Sequence, residues 1–570
     1  MPNSTAVSIT KRWEVYPRMP LEVSDRLQEY PPLVRQILFN RGIADVRSAK
    51  EYFHALPPDE TSPFLLSGMD KAVERILMAI RDREKIVIYG DYDVDGVTST
   101  VLLVEALAML GAEVTPYIPD RFDEGYGINT DALDKLKAMG CSLVISVDCG
   151  VRSIPEADYC KKLGLDLIIT DHHSPLEEIP DGFAVIDPKL PLDAYPSKDL
   201  AGVGVAYKLA QALFNKTNRM VEMGDRWIDL VAIGTVADLA PLTAENRFLV
   251  RKGLELIQKE PRPGLIQLCR VAGIDYRKLN ATNIGFGIGP RLNAAGRMET
   301  ALAAFNLLAE KDVEQAGLYA RALDEQNRAR QVETRAMVDQ AMQMALAEGE
   351  KQDIIFAITP EFSEGIVGLA ASRLVEHFYR PAIVGRQGEE TTRCSCRSIP
   401  EFNITRALDE CKDLMEHHGG HAAAAGLTIR NEKLGELKVR MNAIAQREFA
   451  GRELTPVLMA DAEVILGDLG PELYAHLQKF QPIGYSNPEA QFISRGLRIV
   501  SIRDVGQDGK HLRMQLSDGW LSINAIAFNK GGMKSALMES KKADFLYVFE
   551  TNEYNGRVDF QLNVKDIHIS

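Results

Sequence analysis

The sequence predicts an α/β protein in three parts: a parallel-sheet domain, a second α/β domain joined to it by a long helix, and a C-terminal β-barrel. From about residue 70, short apolar strands alternate with helical segments, which favours βαβ units. Residues 318–348 contain no glycine and no proline, as expected for one long helix. From about residue 457, segments with a period of two dominate, which favours a small barrel.

Each element of the first domain follows from its local pattern. Apolar residues at helical spacing predict a helix over residues 70–83, and a second apolar helix is expected over residues 101–110. Three short apolar runs predict buried strands at residues 85–89, 143–147 and 166–170. Strands that alternate with helices in this way form parallel sheets.

The segment 318–348 is rich in alanine, arginine, glutamine and glutamate, and as one helix it would be roughly 45 Å long. We interpret it as a connector between two domains, with two helices of one bundle as the alternative. Residues 353–358 are strand-like again and open the second α/β domain.

The tail carries the signals of a small β-domain. Strands with a period of two are expected at residues 511–516 and 545–549. Turn signals occur at Gln507-Asp-Gly509 and at Asn555-Gly556. Short strands joined by such turns predict a barrel.

The composition is that of an ordinary soluble globular protein, with 46% hydrophobic and 26% charged residues. No apolar run approaches the ~18 residues that a membrane span needs, and the first residues do not resemble a secretory signal. Seven scattered cysteines fit a reducing cytoplasm better than a disulfide framework. The net charge of −14 excludes a surface that is basic all round, although a local basic groove could still bind nucleic acid. We therefore expect a cytoplasmic protein with no membrane partner.

Acidic segments follow all three predicted strands of the first domain. They are residues 90–96, residues 148–150 and residues 171–173, and a further acid, Asp238, ends the apolar stretch 230–237. Because the carboxyl ends of parallel strands open into one crevice, we expect these segments to converge there. Taken alone, the first segment could be a solvated loop and the third a helix cap with incidental histidines. Their occurrence in four separate segments disfavours coincidence.

The alternation of Asp91, Asp93 and Asp95 is costly unless their charge is neutralised, because close carboxylates raise the pKa of one another. A pair of divalent cations would remove that cost. Carboxylates with one or two imidazoles suit Mn²⁺ or Mg²⁺ better than Zn²⁺ or copper. Two such ions would activate a water and clamp a phosphoryl group. The constellation therefore predicts hydrolysis of a phosphate ester or anhydride.

Four segments resemble the motifs of the DHH phosphoesterase superfamily: Tyr89-Gly-Asp-Tyr-Asp-Val-Asp-Gly96, Val147-Asp-Cys-Gly150, Asp171-His-His173 and Ala237-Asp238. A fifth, Gly287-Ile-Gly-Pro-Arg-Leu-Asn-Ala-Ala-Gly-Arg-Met298, is similar to a signature of the RecJ family within that superfamily. Members of this family are bacterial 5′→3′ exonucleases specific for single-stranded DNA. The resemblance extends from about residue 70 to the end of the chain.

The resemblance implies a set of ligands for two ions of Mn²⁺ or Mg²⁺, namely Asp93, Asp95, Asp148, His172 and Asp238. Asp148 would bridge the two ions. His173 would lie beside the scissile phosphate, where it would stabilise charge or assist proton transfer. Asp91 is expected to support the ligands rather than to bind metal.

The same resemblance implies substrate contacts in the first part of the chain. Arg121 and Arg291 would bind phosphate, and Tyr126 would stack on a base. A surface salt bridge is the alternative for each arginine.

In the second domain, residues 419–426 resemble the glycine-rich motif of the DHHA1 domain. Gly419 and Gly420 would let backbone N–H groups approach an anion, and His421 would add a donor. The alternative is close packing of a helix on a strand.

Residues 393–398 stand where the family has Gly-Ser-Gly-Arg-Ser, so Ser395 and Arg397 would hold a nucleotide phosphate. Cys394 and Cys396 replace two family glycines, which leaves the backbone geometry of this segment open. A zinc site formed by these cysteines with nearby histidines is disfavoured by the Cys-x-Cys spacing.

The tail is similar to the OB-fold of the family, including residues 481–488. Single strands bind such barrels through aromatic stacking and basic side chains. The candidates are Tyr485, Phe492, Lys510, Arg513, Trp520 and Phe528. Most of the aromatic side chains are expected to belong to the barrel core.

These resemblances divide the chain into five parts: an N-terminal segment (1–69), a DHH catalytic domain (70–245), a helical region with the connector helix (246–349), a DHHA1 domain (350–452) and an OB-fold domain (453–570). The implied function is metal-dependent 5′→3′ hydrolysis of single-stranded DNA to 5′-mononucleotides in recombination and repair. We expect a monomer that works with a helicase and a single-strand-binding protein.

Two alternatives stay open. Smaller DHH–DHHA1 enzymes cleave short oligonucleotides or small nucleotides, which the OB-like tail and the segment 287–298 disfavour. A non-catalytic scaffold for single-stranded DNA is disfavoured because every expected metal ligand is present.

Overall fold

The computed structural model describes residues 10–120, 124–125, 127–298, 301–349, 352–554 and 556–569. The chain forms two compact units. The larger unit contains residues 15–325 and 460–570, and the smaller unit contains residues 1–14 and 326–459. Among the helices of the described residues, none is both long and apolar enough to cross a membrane.

The strands, numbered in chain order, are β1 Arg12–Val15, β2 Lys85–Tyr89, β3 Glu113–Tyr117, β4 Cys141–Val147, β5 Asp166–Thr170, β6 Ala184–Ile186, β7 Ile355–Thr359, β8 Ala382–Gln387, β9 Thr391–Arg397, β10 Met415–His421, β11 Ala424–Arg430, β12 Val457–Ala460, β13 Ala462–Glu463, β14 Gln491–Val505, β15 His511–Ser517, β16 Ser522–Ala527, β17 Lys542–Tyr554 and β18 Arg557–His568.

The helices are α1 Leu21–Arg26, α2 Pro32–Asn40, α3 Val46–His54, α4 Met69–Asp82, α5 Val94–Met109, α6 Thr130–Ala138, α7 Ile154–Leu163, α8 Gly202–Lys216, α9 Met220–Met223, α10 Ile228–Ala237, α11 Ala244–Lys259, α12 Pro263–Ala272, α13 Ala281–Asn283, α14 Gly289–Met298, α15 Leu302–Ala309, α16 Val313–Ala347, α17 Val367–Phe378, α18 Ile404–Asp409, α19 Leu434–Phe449, α20 Pro471–Lys479 and α21 Lys534–Ser540.

A five-stranded parallel sheet organises the larger unit, with the strand order β3-β2-β4-β5-β6. Successive residues of β2 alternate between two apolar cores: Ile86 and Ile88 pack with α5, α8 and α10, whereas Val87 and Tyr89 pack with α6 and α7. Because helices cover both faces, the central strands are apolar throughout, which is why their sequence pattern is so clear. The edge strands β3 and β6 were not predicted. β3 is more polar and contains Pro116, and β6 has only three residues.

The helix after β2 begins at Val94, well before the predicted start at residue 101. Its first two turns contain glycine, serine and threonine, which are weaker helix formers than alanine or leucine, so the propensity of this part is low. Burial overrides the propensity, since every residue from Val94 to Leu103 is buried.

The long helix α16 is continuous over 35 residues, about 52 Å at 1.5 Å per residue. The prediction of one long helix is therefore confirmed against the alternative of two helices. The helix starts at Val313 and includes Gly317, a residue that is tolerated inside a helix at a cost of about 1 kcal/mol.

The smaller unit contains a mixed five-stranded sheet with the order β10-β11-β9-β8-β7. β7 and β8 are parallel, and the remaining neighbours are antiparallel. One face packs against α17 and the C-terminal part of α16, and the other against α18 and α19. The second α/β domain is thus confirmed.

A closed barrel of five strands forms the C-terminal part of the larger unit. Its strands follow the order β14-β15-β16-β18-β17, and pairing of β14 with β17 closes the ring. The first half of β14 pairs with β17 and the second half with β15, and the register shifts between Ser494 and Leu497, where Gly496 has a φ of +61°. The predicted turn at residues 507–509 joins β14 to β15. The second predicted turn includes Asn555, which lies outside the described residues.

The N-terminal helices α1, α2 and α3 pack on this barrel. They share one apolar core with it, to which Leu27, Val34, Ile37, Phe53, Phe492, Leu512 and Phe545 belong. Prolines start two of these helices: Pro20 precedes α1, and Pro31 and Pro32 begin α2.

Candidate metal centre

The first acidic motif forms the turn between β2 and α5. Asp93 caps α5, and its carboxylate accepts the N–H groups of Asp95 and Gly96 at 2.9 and 3.1 Å. Asp95 is 1% exposed, and its two carboxylate oxygens accept the N–H groups of Gly202 and Val203 at 2.7 and 2.8 Å. These two residues begin α8, so the N-termini of two helices hold the carboxylates of this motif.

Two glycines make this arrangement possible. A Cβ at Gly96 would lie 2.5 Å from the carbonyl oxygen of Asp91, and a Cβ at Gly202 would lie 2.8 Å from the Cβ of Asp148. Both distances are shorter than van der Waals contact allows. A larger residue at either position would therefore separate the elements that carry the acids.

Asp148 follows β4 in a left-handed conformation, with a φ of +61°. Such a conformation costs a residue other than glycine roughly 1–2 kcal/mol. The N–H of Asp148 donates to the carbonyl of Thr170 at 3.0 Å, which ties it to the end of β5. Its Oδ1 lies 3.1 Å from Nε2 of His172, so the strained backbone brings this carboxylate to the centre of the crevice.

The third motif follows β5 and is organised by Asp171. The buried carboxylate of Asp171 accepts the N–H groups of Val151, His172 and His173 at 2.9, 2.7 and 3.1 Å. Its Oδ1 also lies 2.8 Å from Nδ1 of His173. Asp171 therefore fixes both the backbone of the motif and the ring of His173.

The acidic motifs converge around His172. Its Nε2 lies 3.8 Å from Oδ2 of Asp95 and 3.8 Å from Oδ2 of Asp238, which ends α10. The residues form three overlapping groups, and within each group the potential ligand atoms lie within 4.8 Å of one another. The groups are Asp148, His172 and His173; Asp95, His172 and Asp238; and Asp91, Asp93 and Asp148. The structure thus brings together all six residues predicted as catalytic.

The acids of this cluster repel one another in a buried setting. Burial, and then the neighbouring carboxylates, raise the pKa of Asp95 and of Asp148 well above the usual value. The pKa of Asp238 is raised to about 7 by burial and by the charge of Asp93. Cations bound between these groups would relieve the repulsion.

The two histidines differ in charge state because their neighbours differ. Burial and the adjacent His173 lower the pKa of His172 to about 3, so its neutral imidazole can bind a cation through Nε2. Burial also opposes the charged forms of Asp171 and His173, but their hydrogen bond and mutual attraction outweigh it. The pKa of Asp171 is therefore lowered and that of His173 raised.

The chemistry of these residues fits a divalent metal. Several carboxylate oxygens with one imidazole nitrogen form a donor set that suits Mn²⁺ or Mg²⁺. Asp91 shares one group with Asp93 and Asp148, in which the ligand atoms lie within 4.8 Å of one another.

The segment 287–298 packs against the first acidic motif. The side-chain oxygen of Asn293 accepts the N–H of Val94 at 3.2 Å, at the start of α5. A Cβ at Gly296 would lie 2.7 Å from the carbonyl oxygen of Tyr92. Sequence reasoning assigned no role to Asn293, because nothing in the local pattern indicates a contact with a loop some two hundred residues away.

Arg291, predicted as a phosphate contact, is engaged within the protein. Its Nε donates to Oδ1 of Asp324 at 2.8 Å, and its terminal nitrogen donates to the carbonyl of Gly287 at 2.8 Å. The arginine side chain is 16% exposed. The salt-bridge alternative therefore describes this structure, although the partner is buried rather than at the surface. Arg121 and Tyr126 lie outside the described residues.

The predicted phosphate-binding residues of the smaller unit occupy neighbouring strands. Ser395 on β9 pairs with Gly426 on β11, which pairs with Gly419 on β10. Likewise, Ala424 on β11 pairs with Arg397 on β9 and with His421 on β10.

Arg397 also reaches back along its own strand. Its terminal nitrogen donates to Oγ of Ser395 at 2.9 Å. A Cβ at Gly368, in α17, would lie 3.0 Å from both side chains, and Gly420 has a φ of +147°. Glycine is thus used where backbone and side chains approach closely.

The two cysteines that replace family glycines do not distort β9. Cys394 and Cys396 alternate into the apolar core, whereas Ser395 and Arg397 point to the other face. Burial raises the pKa of the Cys394 thiol to about 12. Space for its sulfur comes from Gly385, because a Cβ there would lie 2.3 Å from Sγ of Cys394. The backbone of this segment is therefore a regular antiparallel strand.

The candidate DNA contacts of the barrel separate into core and surface. Phe492 is fully buried and belongs to the barrel core, so its role as a base platform is not supported. Tyr485, Trp520 and Phe528 are 62%, 95% and 52% exposed, so the expectation that most of these aromatic side chains belong to the barrel core is wrong. Lys510 is exposed and Arg513 is half-buried.

Profiles of known domain families match three parts of the chain. The DHH family N-terminal domain matches residues 85–235, the DHHA1 domain matches residues 351–447, and the RecJ OB domain matches residues 460–566.

Two curated relatives show how far the similarity extends. The single-stranded-DNA-specific exonuclease RecJ of Bacillus subtilis (strain 168) is 40% identical over 541 residues, which cover 95% of this chain and 68% of the relative. The protein of the same name from Escherichia coli (strain K12) is 33% identical over 576 residues, covering 96% of this chain and 97% of the relative.

A solved structure agrees with these relatives. The crystal structure of RecJ in complex with Mn²⁺ from Thermus thermophilus matches with a TM-score of 0.84 and 30% identity, covering 98% of this chain and 79% of the other. A second structure from the same organism contains Mg²⁺ and matches with a TM-score of 0.79. The similarity covers the fold, the three domains and the strand-end motifs alike, and the chain belongs to the RecJ family.

Proposed function

We propose that this chain is a single-stranded-DNA-specific 5′→3′ exonuclease that hydrolyses phosphodiesters with two ions of Mn²⁺ or Mg²⁺ and releases 5′-mononucleotides. One observation carries the proposal. In a chain of the RecJ family, the four acidic segments meet around His172 in overlapping groups, and the ligand atoms of each group lie within 4.8 Å of one another. Relatives that the chain matches over nearly its whole length are named as exonucleases of this specificity.

We assign the metal-binding role to Asp93, Asp95, Asp148, His172 and Asp238. The pair of ions supplies Lewis acidity for the attacking water and neutralises charge on the phosphoryl group. The protein contributes a rigid set of ligands, since α8 holds Asp95 and the left-handed turn holds Asp148. This rigidity fixes the geometry of the site before the substrate binds.

We assign His173 to the scissile phosphate. Asp171 accepts a hydrogen bond from Nδ1 of His173 and raises its pKa, so the imidazolium form is favoured. An imidazolium beside Asp148 and His172 can stabilise developing charge or give a proton to the leaving oxygen.

In the smaller unit, we propose that Ser395, Arg397, Gly419, Gly420 and His421 bind a phosphate of the strand. The arginine and the serine share one face of the sheet, and the glycines leave backbone groups uncovered by side chains. We propose the same role for Arg121 and Arg291, with Tyr126 as a stacking platform. Arg291 would have to exchange its contact with Asp324 for a phosphate.

We also propose the division into five parts, with boundaries after residues 69, 245, 349 and 452. We also propose that the protein acts in the cytoplasm, in DNA recombination and repair, as a monomer that works with a helicase and a single-strand-binding protein. A hydrolase that degrades only single strands needs another protein to separate the duplex, which supports the helicase.

The test compares oligodeoxynucleotides labelled at the 5′ end, oligodeoxynucleotides labelled at the 3′ end, and blunt duplexes, each with Mn²⁺, Mg²⁺ or EDTA. We expect early release of labelled mononucleotide from the 5′ label alone, on single strands alone, and only with metal. Asp148→Ala should abolish release, whereas Asp158→Ala, an exposed acid on α7, should not change it.

Other results would replace the proposal. Cleavage confined to very short oligonucleotides would indicate an enzyme for small substrates. Binding of single strands without nucleotide release under any metal condition would indicate a scaffold.

A further inference from the structure

The loop that follows the edge strand β6 carries Asp187 and Lys189, two residues that the sequence motifs do not include. β6 pairs in parallel with β5, and the N–H of Asp171 donates to the carbonyl of Ile186 at 3.0 Å. Asp187 therefore leaves the sheet directly beside Asp171, at the edge where the metal-binding motifs converge.

The buried side chain of Asp187 fixes the backbone of this loop. It is 0% exposed, and its Oδ1 accepts the N–H of Lys189 at 2.7 Å. The other oxygen, Oδ2, is buried and has no hydrogen-bond partner within the described residues. The carboxylate thus holds the loop in a tight turn that begins at the strand end.

Lys189 differs from the other lysine of this connection. Between β6 and α8, Lys198 donates to the carbonyl of Asp193 at 2.7 Å and lies 3.5 Å from its carboxylate. The ammonium of Lys189 forms no ion pair or hydrogen bond with any described residue, although the side chain is half-buried. Its charge lowers the pKa of both His172 and Asp238, so it lies close enough to the cluster to act on it.

We infer that Lys189 binds a phosphate of the DNA strand beside the metal centre, and that Asp187 positions it. The inference rests on the proposed function and adds a substrate contact to it. A half-buried ammonium that has no partner among the described residues can donate its N–H groups to an anion, and the proposed site binds phosphodiesters. Lysine binds phosphate as a mobile point charge, which suits a strand that must advance after each cleavage.

The position of His173 supports this assignment. His173 follows β5 and Lys189 follows β6, and these two strands are parallel neighbours in the sheet. Both residues therefore leave the sheet at the same edge, where a phosphate seated at His173 would lie. A phosphate contact at this place neutralises negative charge that the acidic cluster would otherwise repel.

The experiment measures binding of a short 5′-phosphorylated oligothymidylate by fluorescence anisotropy over a range of salt concentrations. Ca²⁺ replaces Mn²⁺, and the absence of released nucleotide is checked in each sample. The variants are Lys189→Ala and Lys189→Arg, with Lys198→Ala as the matched control. For Lys189→Ala we expect binding weaker by roughly three- to tenfold, and a salt slope smaller by about 0.7, the value for one phosphate contact on a single strand.

The remaining variants separate positioning from charge. Lys189→Arg should restore most of the affinity and the full salt slope, because it keeps the cation. Asp187→Asn keeps an oxygen that can accept the N–H of Lys189 and should bind nearly as the wild type does. Asp187→Ala removes it and should lose part of the affinity.

Two results would overturn the inference. The first is a salt slope for Lys189→Ala equal to those of the wild type and Lys198→Ala. The second is a lower melting temperature in EDTA with an unchanged slope, which would mean that the lysine only offsets the acids of the fold. A wild type that releases no nucleotide with Mn²⁺ would instead refute the proposed function, whereas an active wild type with an indifferent Lys189→Ala would refute this inference alone.

Discussion

Two sites in the larger unit bury acidic side chains in contrasting ways. At the strand ends, Asp95 and Asp148 are almost fully buried and face other carboxylates, so the pKa of each is raised. Glu245 on α11 is equally buried, at 1% exposure, but it forms an ion pair with Lys208 and accepts a hydrogen bond from Tyr195 at 2.6 Å. A buried acid with its own partners stabilises the fold, whereas buried acids that repel one another require a cation from outside.

The largest effect that follows from this contrast concerns Asp148. Asp148→Asn should reduce nucleotide release by roughly 10⁴-fold or more, because it removes the central carboxylate of a site whose residues act together. The same variant should melt at an equal or higher temperature than the wild type in EDTA, since one repelling charge is gone.

The measurements are release of labelled nucleotide with Mn²⁺ and thermal unfolding in EDTA. Asp158→Asn, an exposed acid on α7, serves as the control and should leave both unchanged. A large loss of stability in Asp148→Asn would contradict the view that neighbouring carboxylates repel the charge of Asp148.

Glu245 should behave in the opposite way. Glu245→Ala leaves Lys208 buried without its counter-ion and should lower the free energy of unfolding by about 3–5 kcal/mol. The folded fraction should retain its activity, since the residue has no contact with the acidic cluster among those described. Denaturant unfolding measures the loss, and Glu255→Ala on the same helix, whose side chain is 53% exposed, should change stability by less than about 0.5 kcal/mol. Equal effects of the two substitutions would remove the contrast.

Metal should stabilise the folded protein through the cluster of repelling acids and not through the Glu245 site. At a concentration one hundred times its Kd, Mn²⁺ should raise the free energy of unfolding of the wild type by about 2.7 kcal/mol for each ion bound, because it binds the folded state alone. The increase should be absent or much smaller in Asp148→Asn and intact in Glu245→Ala. Thermal unfolding with and without Mn²⁺ provides the measurement, and an equal increase in Asp148→Asn would place the metal elsewhere.

Arg247 shows a third way of burying charge and a smaller expected effect. Its buried guanidinium has no carboxylate partner among the described residues and donates to the carbonyls of Tyr52, Lys479, Phe480 and Gln481 at 2.8–3.1 Å. Its centre also lies 3.8 Å from the ring of Tyr52. Burial lowers its pKa to about 10.

Arg247→Lys keeps the charge but cannot reach all of these acceptors, so it should destabilise the protein by about 1–3 kcal/mol. Denaturant unfolding tests this, with the exposed Arg270→Lys as the control. A neutral result would mean that charge matters at this site and geometry does not.

Much of the fold could be predicted because its signals are local. The strands β2 and β5 match their predicted bounds, since apolar runs covered by helices on both faces have a distinct pattern. The convergence of Asp93, Asp148 and His172 could also be predicted, because parallel strands carry their following loops to one edge.

Other parts of the site depend on contacts between distant segments. Asp187 follows a strand of three residues that no pattern marks, and Asn293 reaches the start of α5 from across the chain. Arg291 matches a family motif and Phe492 has an aromatic ring that could stack on a base. Only the packing shows that Arg291 is paired with Asp324 and that Phe492 belongs to the barrel core. Such outcomes follow from which surfaces meet, and a single sequence does not contain that information in readable form.

The sequence by itself therefore determined the order of the elements, the metal-binding chemistry and the family. Periodicity, strand-end acids and motif spacing are properties of residues close in sequence, and they can be recognised without knowledge of the fold. Only the tertiary structure decided which charges are paired, which cysteines fill the core beside Gly385, and which lysine near the metal centre remains without a partner among the described residues. The physical reason is that burial and electrostatic interaction act through space, and the cost or benefit of a charge is set by the groups that folding places around it.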